Sequence, residues 1–248
     1  MSTPFVIAAM AAFGLAALAP QRGRARLVAA ALGVLVLAAL LLARWREIGH
    51  LPVFGTFEMD LAESAVFVGL GLPLAARYGG AWRVALAFAV LTLAHALTLE
   101  SAPTPLTISE LSLWIDLHAP LAYLAWAFYA HAALLGFRRE AEPLALRLWG
   151  YGFVAHTALG FIGVYYASVL FATPWAWDPA QTLGLLSWLL VAVLIHFRLF
   201  FHLDLRRQRY LGMCVWVIYI ASAKAPMHLP PGQSFHVFEL GSLAGGAP

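Results

Sequence analysis

The sequence predicts an all-α integral membrane protein with about eight transmembrane helices and with both termini on the outer side. Three observations predict it: the composition, the lengths of the apolar segments, and the placement of the basic residues. Of the 248 residues, 62% are hydrophobic and 11% are charged, and the mean hydropathy is +0.82. Soluble domains carry about 25% charged residues, so this composition is typical of a chain that lies largely in a bilayer.

Eight apolar segments follow one another, each near the length that crosses a bilayer as a helix. The first has the composition of a signal peptide, but Met1 to Pro4 contains no basic residue and arginines follow the segment. This order favours a retained span with its N-terminus outside. No repeat or linker divides the chain, so we expect a single polytopic membrane domain over 1–248. The segments are 5–19, 27–43, 61–76, 82–99, 111–137, 149–173, 179–203 and 210–225.

The loops between these segments differ in charge from one side to the other. One set of alternating loops carries 12 arginines, and the opposite set carries three basic residues. Cytoplasmic loops are enriched in basic residues, so this 12-to-3 split predicts that both termini face outward. The arginine-rich loops are 20–26, 77–83, 138–147 and 198–209, and the three residues opposite are Arg44, Arg46 and Lys224.

The net charge of +3 and the single cysteine exclude some functions. The basic residues lie in short loops between apolar segments, so no basic face indicates nucleic-acid binding. The only cysteine, Cys214, lies in an apolar segment and forms no internal disulfide. The chain also lacks the C-x-x-C-H sequence that attaches a c-type haem covalently.

One outward turn, "WAWDPAQT", precedes the seventh apolar helix, and we refer to Trp175–Gln181 as the tryptophan turn. Asp178 followed by Pro179 is typical of a helix start, and Gln181 lies where a capping box has an acid or an amide. On this interpretation Trp175 and Trp177 are interfacial residues. It explains the order of residues but not why histidines gather on the same side.

The chain contains nine histidines, and an ionisable residue inside a bilayer indicates function. Neutral imidazole is a common axial ligand of haem iron. His118 opens the fifth segment near the outer surface, and His236 lies in the outward tail. Together with the tryptophan turn they form a candidate site for a flat, hydrophobic, iron-containing ring. The alternative interpretation is that each of these histidines is a solvated loop residue without a ligand role.

Two further histidines are predicted to lie near the inner surface. His196 follows Asp178 by 18 residues, which places it about 27 Å deeper along a helix. His156 precedes Trp175 by 19 residues on the preceding segment, and so falls at a similar depth. Imidazoles at one depth on adjacent antiparallel helices are candidate ligands of a b-type haem. The alternative for His156 is a hydrogen bond to a backbone carbonyl or a neighbouring side chain.

Acidic residues gather at the outer end of the third segment. Glu58, Asp60 and Glu63 could serve proton or cation chemistry there, but helix capping is the plainer interpretation of Asp60 and Glu63. His95 and His131 are expected to be packed helix residues.

The tryptophan turn and the histidine-bearing segments resemble those of the cytochrome c assembly family, the haem-handling membrane proteins of the CcsA, CcmC and HemX kind. The family's turn reads W-x-W-D-P-x-E-T, and the helix after it ends in L-H-x-R-L. This chain reads "WAWDPAQT" and "IHFRL" in the same places. The resemblance covers about residues 44–240. Upstream, the family's G-F-x-x-x-T…G…A pattern is similar to Gly152, Phe153, Thr157, Gly163 and Ala167.

The resemblance implies roles for the candidate residues. His118 and a tail histidine, either His228 or His236, would ligate haem at the outer surface, with the tryptophan turn against the haem edge. The aromatic residues beside His236 favour it over His228. His196 would correspond to the family's intramembrane histidine.

The chain also departs from the family's pattern. Gln181 replaces an acid, Phe171 and Ala172 replace Trp-Gly, and Tyr166 replaces a further Trp. His156 stands where the family usually has an apolar residue. These differences favour a repurposed paralogue.

The resemblance implies that one or two haem b groups are held or presented at the outer membrane face for cytochrome c maturation. The chain would be a component of a haem lyase or synthase in the bacterial inner (cytoplasmic) membrane. Its partners would be other membrane subunits and an outer-face apocytochrome or c-type cytochrome. Two alternatives stay open: a haem-b electron-transfer subunit of a membrane oxidoreductase, with a quinone as redox partner, and a regulator of haem synthesis.

Overall fold

A computed structural model describes residues 2–20, 23–53, 55–75, 77–99, 101–102, 112–201 and 205–225. Within them each predicted apolar segment coincides with one α-helix, so the predicted number and order of helices are confirmed. A short 3-10 helix, Arg139–Ala141, precedes the sixth. The helices are α1 (Thr3–Leu18), α2 (Arg24–Ile48), α3 (Thr56–Ala75), α4 (Gly79–Ala96), α5 (Leu113–Leu135), α6 (Glu142–Phe171), α7 (Pro179–Phe200) and α8 (Leu205–Lys224).

Three helical segments of the described chain are long and apolar enough to cross a membrane: Arg24–Ile48, Arg139–Phe171 and Pro179–Phe200. The helical segments Thr3–Leu18 and Gly80–Ala96 are apolar but shorter. Large apolar side chains are exposed on α6 and α7, as is typical of helix faces that meet lipid. The exact number of spans and the side on which the termini lie stay predictions.

The helices pack as an antiparallel bundle around α5. α5 contacts α3, α6 and α8, while α1 packs on α2 and α4, and α7 packs on α6 and α8. The core contains buried aromatic side chains: Phe67 lies edge to face with Trp126 at 4.7 Å, and Tyr129 with Tyr219 at 5.2 Å. These contacts join α3 to α5 and α5 to α8.

Polar contacts hold helix ends together where α3, α5 and α7 begin, which we call the tryptophan end. Arg44 of α2 forms a buried ion pair with Glu58 of α3. Arg44 also donates a hydrogen bond to the hydroxyl of Ser2, the N-cap residue of α1, at 3.2 Å. A charge in an apolar bundle is tolerated only when it is paired, so these contacts fix the relative positions of three helix ends.

The opposite end, which we call the arginine end, brings the arginine-rich loops together. Its arginines donate to backbone carbonyls at helix ends, which have no partner within their own helix. In this way they tie neighbouring helices together, and one of them pairs with a carboxylate. The contacts are Arg26 to Ala75, Arg83 to Ala19 and Arg209 to Gly136, with an ion pair between Arg198 and Glu142.

The substitution Arg44→Met tests the buried ion pair. It leaves the Glu58 carboxylate buried without its partner, so we expect the free energy of unfolding to fall by about 3–5 kcal/mol. Arg46→Met is the matched control, because Arg46 lies two residues further along α2 and is exposed. That variant should change the free energy by about 0.5 kcal/mol or less. Unfolding in detergent micelles measures both, and equal stabilities would contradict the structural role of Arg44.

Candidate functional site

The start of α7 holds the tryptophan turn in place. The Oδ1 atom of Asp178 accepts hydrogen bonds from the backbone N–H groups of Ala180 at 2.8 Å and Gln181 at 3.4 Å. The predicted N-cap at Asp178, with Pro179 as the first helical residue, is therefore confirmed. The side-chain oxygen of Gln181 accepts from the backbone N–H of Ala176 at 3.0 Å and closes the turn onto its helix. An amide oxygen accepts this bond as a carboxylate would, so Gln181 can replace the family's acid here.

Two residues of this segment have a left-handed backbone. Ala172, which ends α6, and Trp177 both have φ of 55°. This conformation costs a residue with a β-carbon about 1–2 kcal/mol, and glycine is the usual residue at such a helix end. A glycine at the position of Ala172 would adopt this backbone conformation without that cost.

The two indoles of the turn differ in exposure. Trp177 is 78% exposed, whereas Trp175 is half-buried. Their rings lie edge to face with centroids 5.9 Å apart. The hydroxyl of Thr173 donates to the carbonyl of Trp175 at 2.9 Å and steadies the turn. The turn thus presents one open indole at the end of the bundle.

His118 lies near the start of α5 and packs against α6. A β-carbon added at Gly163 would lie 2.9 Å from Cε1 and 3.3 Å from Nδ1 of the His118 ring, so the imidazole occupies the space that a side chain would need. Beside it, the rings of Trp114 and Tyr165 are 4.7 Å apart. Ala172 follows Gly163 by nine residues, which places the end of α6 about 13 Å further along its axis. His118 and the tryptophan turn therefore belong to the same end of one helix pair.

A side-chain clamp holds α7 against α6. The indole N–H of Trp188 donates to the hydroxyl of Thr157 at 2.9 Å, and its ring stacks on Phe153 at 5.1 Å. Phe153 and Thr157 belong to the pattern that carries the family resemblance. Their contacts orient α7, and hence the turn that begins it.

The residues at the tryptophan end fit a haem group by their chemistry. Neutral imidazole ligates iron, and the missing side chain at Gly163 gives the His118 ring its place. The exposed indole of Trp177 offers an aromatic surface to a porphyrin. His228 and His236 lie outside the described residues, so a second axial ligand from the tail stays a prediction.

His196 is exposed on α7. Its ring stacks on Phe200 at 5.8 Å, and its Nδ1 lies 2.7 Å from the carbonyl oxygen of Ala192. Nδ1 must carry the proton to donate to this carbonyl, which leaves Nε2 with the lone pair that a metal requires. This orientation is compatible with the predicted ligand role, which stays a prediction.

His156 lies in different surroundings from His196. It is buried, and its ring packs edge to face against Tyr129 at 6.0 Å and Tyr219 at 5.0 Å. Its Nδ1 lies 3.4 Å from the hydroxyl oxygen of Tyr129. The alternative that His156 forms a hydrogen bond with a neighbouring side chain is therefore confirmed. Its pairing with His196 as a haem ligand stays a prediction.

A polar network around the buried carboxylates of Asp60 and Glu63 at the tryptophan end joins α3, α4 and α8. Lys224 Nζ lies 2.8 Å from Asp60 Oδ1 and 2.8 Å from Glu63 Oε2. His95 Nδ1 lies 2.7 Å from Asp60 Oδ2. The interpretation that Asp60 and Glu63 cap α3 is wrong, because α3 begins at Thr56 and both carboxylates are buried against Lys224.

No sequence pattern predicted this network. Lys224 is 164 residues from Asp60, so no local pattern connects them. One feature of the sequence could have indicated the pairing, namely charge complementarity. Lys224 is one of three basic residues on the side of the chain where Asp60 and Glu63 lie. His95 was expected to be a packed helix residue, but it belongs to this network through its contact with Asp60. His131 is packed as predicted, with its Nε2 donating to the carbonyl of Phe67 at 2.8 Å.

The described helices form a bundle, and a histidine and an exposed aromatic turn lie at one end of it. These features define a multi-pass helical membrane protein. The chain belongs to the Cytochrome C assembly protein family, which it matches over residues 5–222.

Individual relatives are named for cytochrome c biogenesis. The chain is 26% identical over 196 residues to the cytochrome c biogenesis protein CcsA of Chlamydomonas reinhardtii, which covers 66% of this chain and 55% of the relative. It is 31% identical over 83 residues to CcsA of Guillardia theta, covering 32% of this chain and 28% of the relative. The chain thus spans about half the length of the first of these relatives.

Ala172→Gly tests the strain at the end of α6. Glycine adopts the left-handed conformation without the β-carbon cost, so we expect the free energy of unfolding to rise by about 1 kcal/mol. Gly49→Ala is the reciprocal control, because Gly49 ends α2 at φ 80° and should lose a similar amount. Unfolding in detergent measures both variants. A loss of stability in Ala172→Gly would contradict the left-handed conformation of this residue.

Proposed function

We propose that the protein holds haem b at the tryptophan end of the bundle and presents it for cytochrome c maturation. Membership of the cytochrome c assembly family supports this function, as do relatives named for cytochrome c biogenesis. The observation that carries the proposal is the His118 imidazole packed on Gly163, on the helix that leads into the exposed tryptophan turn. We also propose a location in the bacterial inner membrane, together with other membrane subunits and an outer-face apocytochrome.

In this proposal His118 would hold the haem iron together with His236, with His228 as the alternative. Trp177 would contact the porphyrin, because its indole is the exposed one of the pair. When bound, haem supplies the redox-active iron and the vinyl groups to which cytochrome thiols are attached. The residues of this chain bind and orient the ring at a surface that a partner can reach.

A second haem, if bound, belongs nearer the arginine end, with His196 as its ligand. The hydrogen bond from Nδ1 of His196 to Ala192 fixes the ring and leaves Nε2 for the iron. The exposure of His196 gives a ligand access to it. His156 is less accessible, because two tyrosine rings cover it.

Histidine substitutions test the two sites separately. His118→Ala should remove only the haem at the tryptophan end, and His196→Ala only the haem nearer the arginine end, because each loses one iron ligand. His50→Ala, which changes another histidine at the tryptophan end, is the control and should retain all haem. A pyridine haemochrome assay on purified protein gives haem per chain. Loss of all haem from either single variant would contradict two independent sites.

Gly163→Ala tests the packing of His118 without removing a ligand. The added β-carbon pushes the imidazole away from α6, so we expect weaker haem retention and a shifted Soret band. Gly160→Ala is the matched control, one turn earlier on α6, because its β-carbon meets no atom within 4 Å. Equal haem contents and spectra for the two variants would count against His118 as a ligand.

A redox titration and a transfer assay separate haem presentation from electron transfer. Haem that leaves the protein and attaches to an added apocytochrome c supports presentation. Two haems that stay bound, titrate reversibly and co-purify with an oxidoreductase would instead favour the electron-transfer alternative and contradict the proposal.

A further inference from the structure

A cavity of about 780 Å³ opens at the arginine end, away from the candidate haem site. It lies between the start of α4, the loop after α5 and the first turns of α8. We call it the basic cavity. Its walls include Arg138, Arg139, Arg209, Glu140, Val84 and Phe137. The volume is within the range of about 300–1,000 Å³ that is typical of sites for small ligands.

The charges on the cavity wall do not balance. Among the described residues of the wall, three arginines face one glutamate, which gives these residues a net charge of +2. The Arg138–Glu140 ion pair, with Nη1 and Oε1 3.4 Å apart, has side chains that are 38% and 63% exposed, so it is weak and an anion can displace it. The cavity therefore attracts an anion from outside the chain.

Two of the arginines are held in place by the fold. Arg209 Nε donates to the carbonyl of Gly136 at the end of α5, at 2.7 Å. The guanidinium of Arg138 packs against the backbone of Gly80, where a β-carbon would collide with it. A guanidinium already fixed in position loses less entropy when it binds an anion, and its planar donors match a phosphate group.

The same cavity has an apolar wall. Val84 of α4 is 54% exposed and Phe137, just after α5, is 45% exposed. Both lie at helix ends, where a spanning bundle meets the interface between lipid and water. A free phosphate ion would gain no favourable contact with this apolar wall, whereas a lipid acyl chain would bury it.

We propose that the basic cavity binds an anionic phospholipid, with the phosphate on the arginines and an acyl chain along Val84 and Phe137. Basic pockets between membrane helices are suited to such headgroups because charge and apolar contact act together. Its occupancy holds the starts of α4 and α8 to the end of α5. This site is independent of the proposed haem function.

Lipid titrations on the 248-residue chain in detergent test the proposal, with the thermal unfolding temperature as the readout. Phosphatidylglycerol should stabilise the protein, and phosphatidylcholine or inorganic phosphate at equal concentration should not. In the double variant Arg138→Gln/Arg139→Gln, the apparent affinity for phosphatidylglycerol should fall about tenfold or more. The control Arg46→Gln/Arg147→Gln removes the same charge from two exposed arginines outside the cavity and should bind as the unaltered protein does.

A second variant tests the cavity without changing an arginine, because the arginines also form contacts that stabilise the fold. Val84→Glu places a carboxylate on the exposed apolar wall and should also weaken phosphatidylglycerol binding. Equal binding by the cavity variants and the control would overturn the proposal. So would stabilisation by phosphatidylcholine that matches phosphatidylglycerol. Inorganic phosphate that binds as tightly as the lipid would also overturn the proposal, because the cavity would then be an anion site that does not recognise a lipid.

Discussion

The rest of the structure depends on the pairing of buried charges at the tryptophan end. An unpaired charge inside an apolar bundle is so costly that Asp60, Glu63 and Glu58 can be buried only where cations meet them. Lys224 and Arg44 meet that requirement, and in doing so they fix the ends of α2, α3 and α8 relative to one another. Few arrangements of these helices satisfy all the pairs at once.

The α5–α6 pair that carries the candidate site is held by different means. Here small residues let aromatic rings approach the helix backbone closely: Gly152 receives Tyr129, and Gly163 receives His118. Close packing through small residues is the usual means of joining helices in lipid, where the hydrophobic effect between helices is absent. The clamp from Trp188 then fixes α7, and with it the tryptophan turn. The histidine is thus positioned by uncharged packing, and the turn by the Trp188 clamp together with the Asp178 cap.

Much of the fold could be predicted from the sequence, because apolar length and loop charge act locally. The eight segments and the cap at Asp178 follow from such signals. The partners of Asp60 and Glu63 could not be predicted in the same way, since pairing with Lys224 depends on how distant helices pack. The left-handed backbone at Ala172 was also missed, because alanine gives no sign of that conformation. For the candidate site, the sequence predicted His118 and the turn as haem-binding residues, which stays a prediction, but it did not predict Gly163 as the surface on which the imidazole rests.

The absorption spectrum of the unaltered protein tests the central claim, an imidazole–iron bond at this site, most directly. The protein would be produced with abundant haem supply, purified in detergent and recorded in its oxidised and reduced forms. The account predicts a Soret band that shifts on reduction and α and β bands typical of histidine-ligated haem b. A folded preparation without Soret absorbance would contradict it.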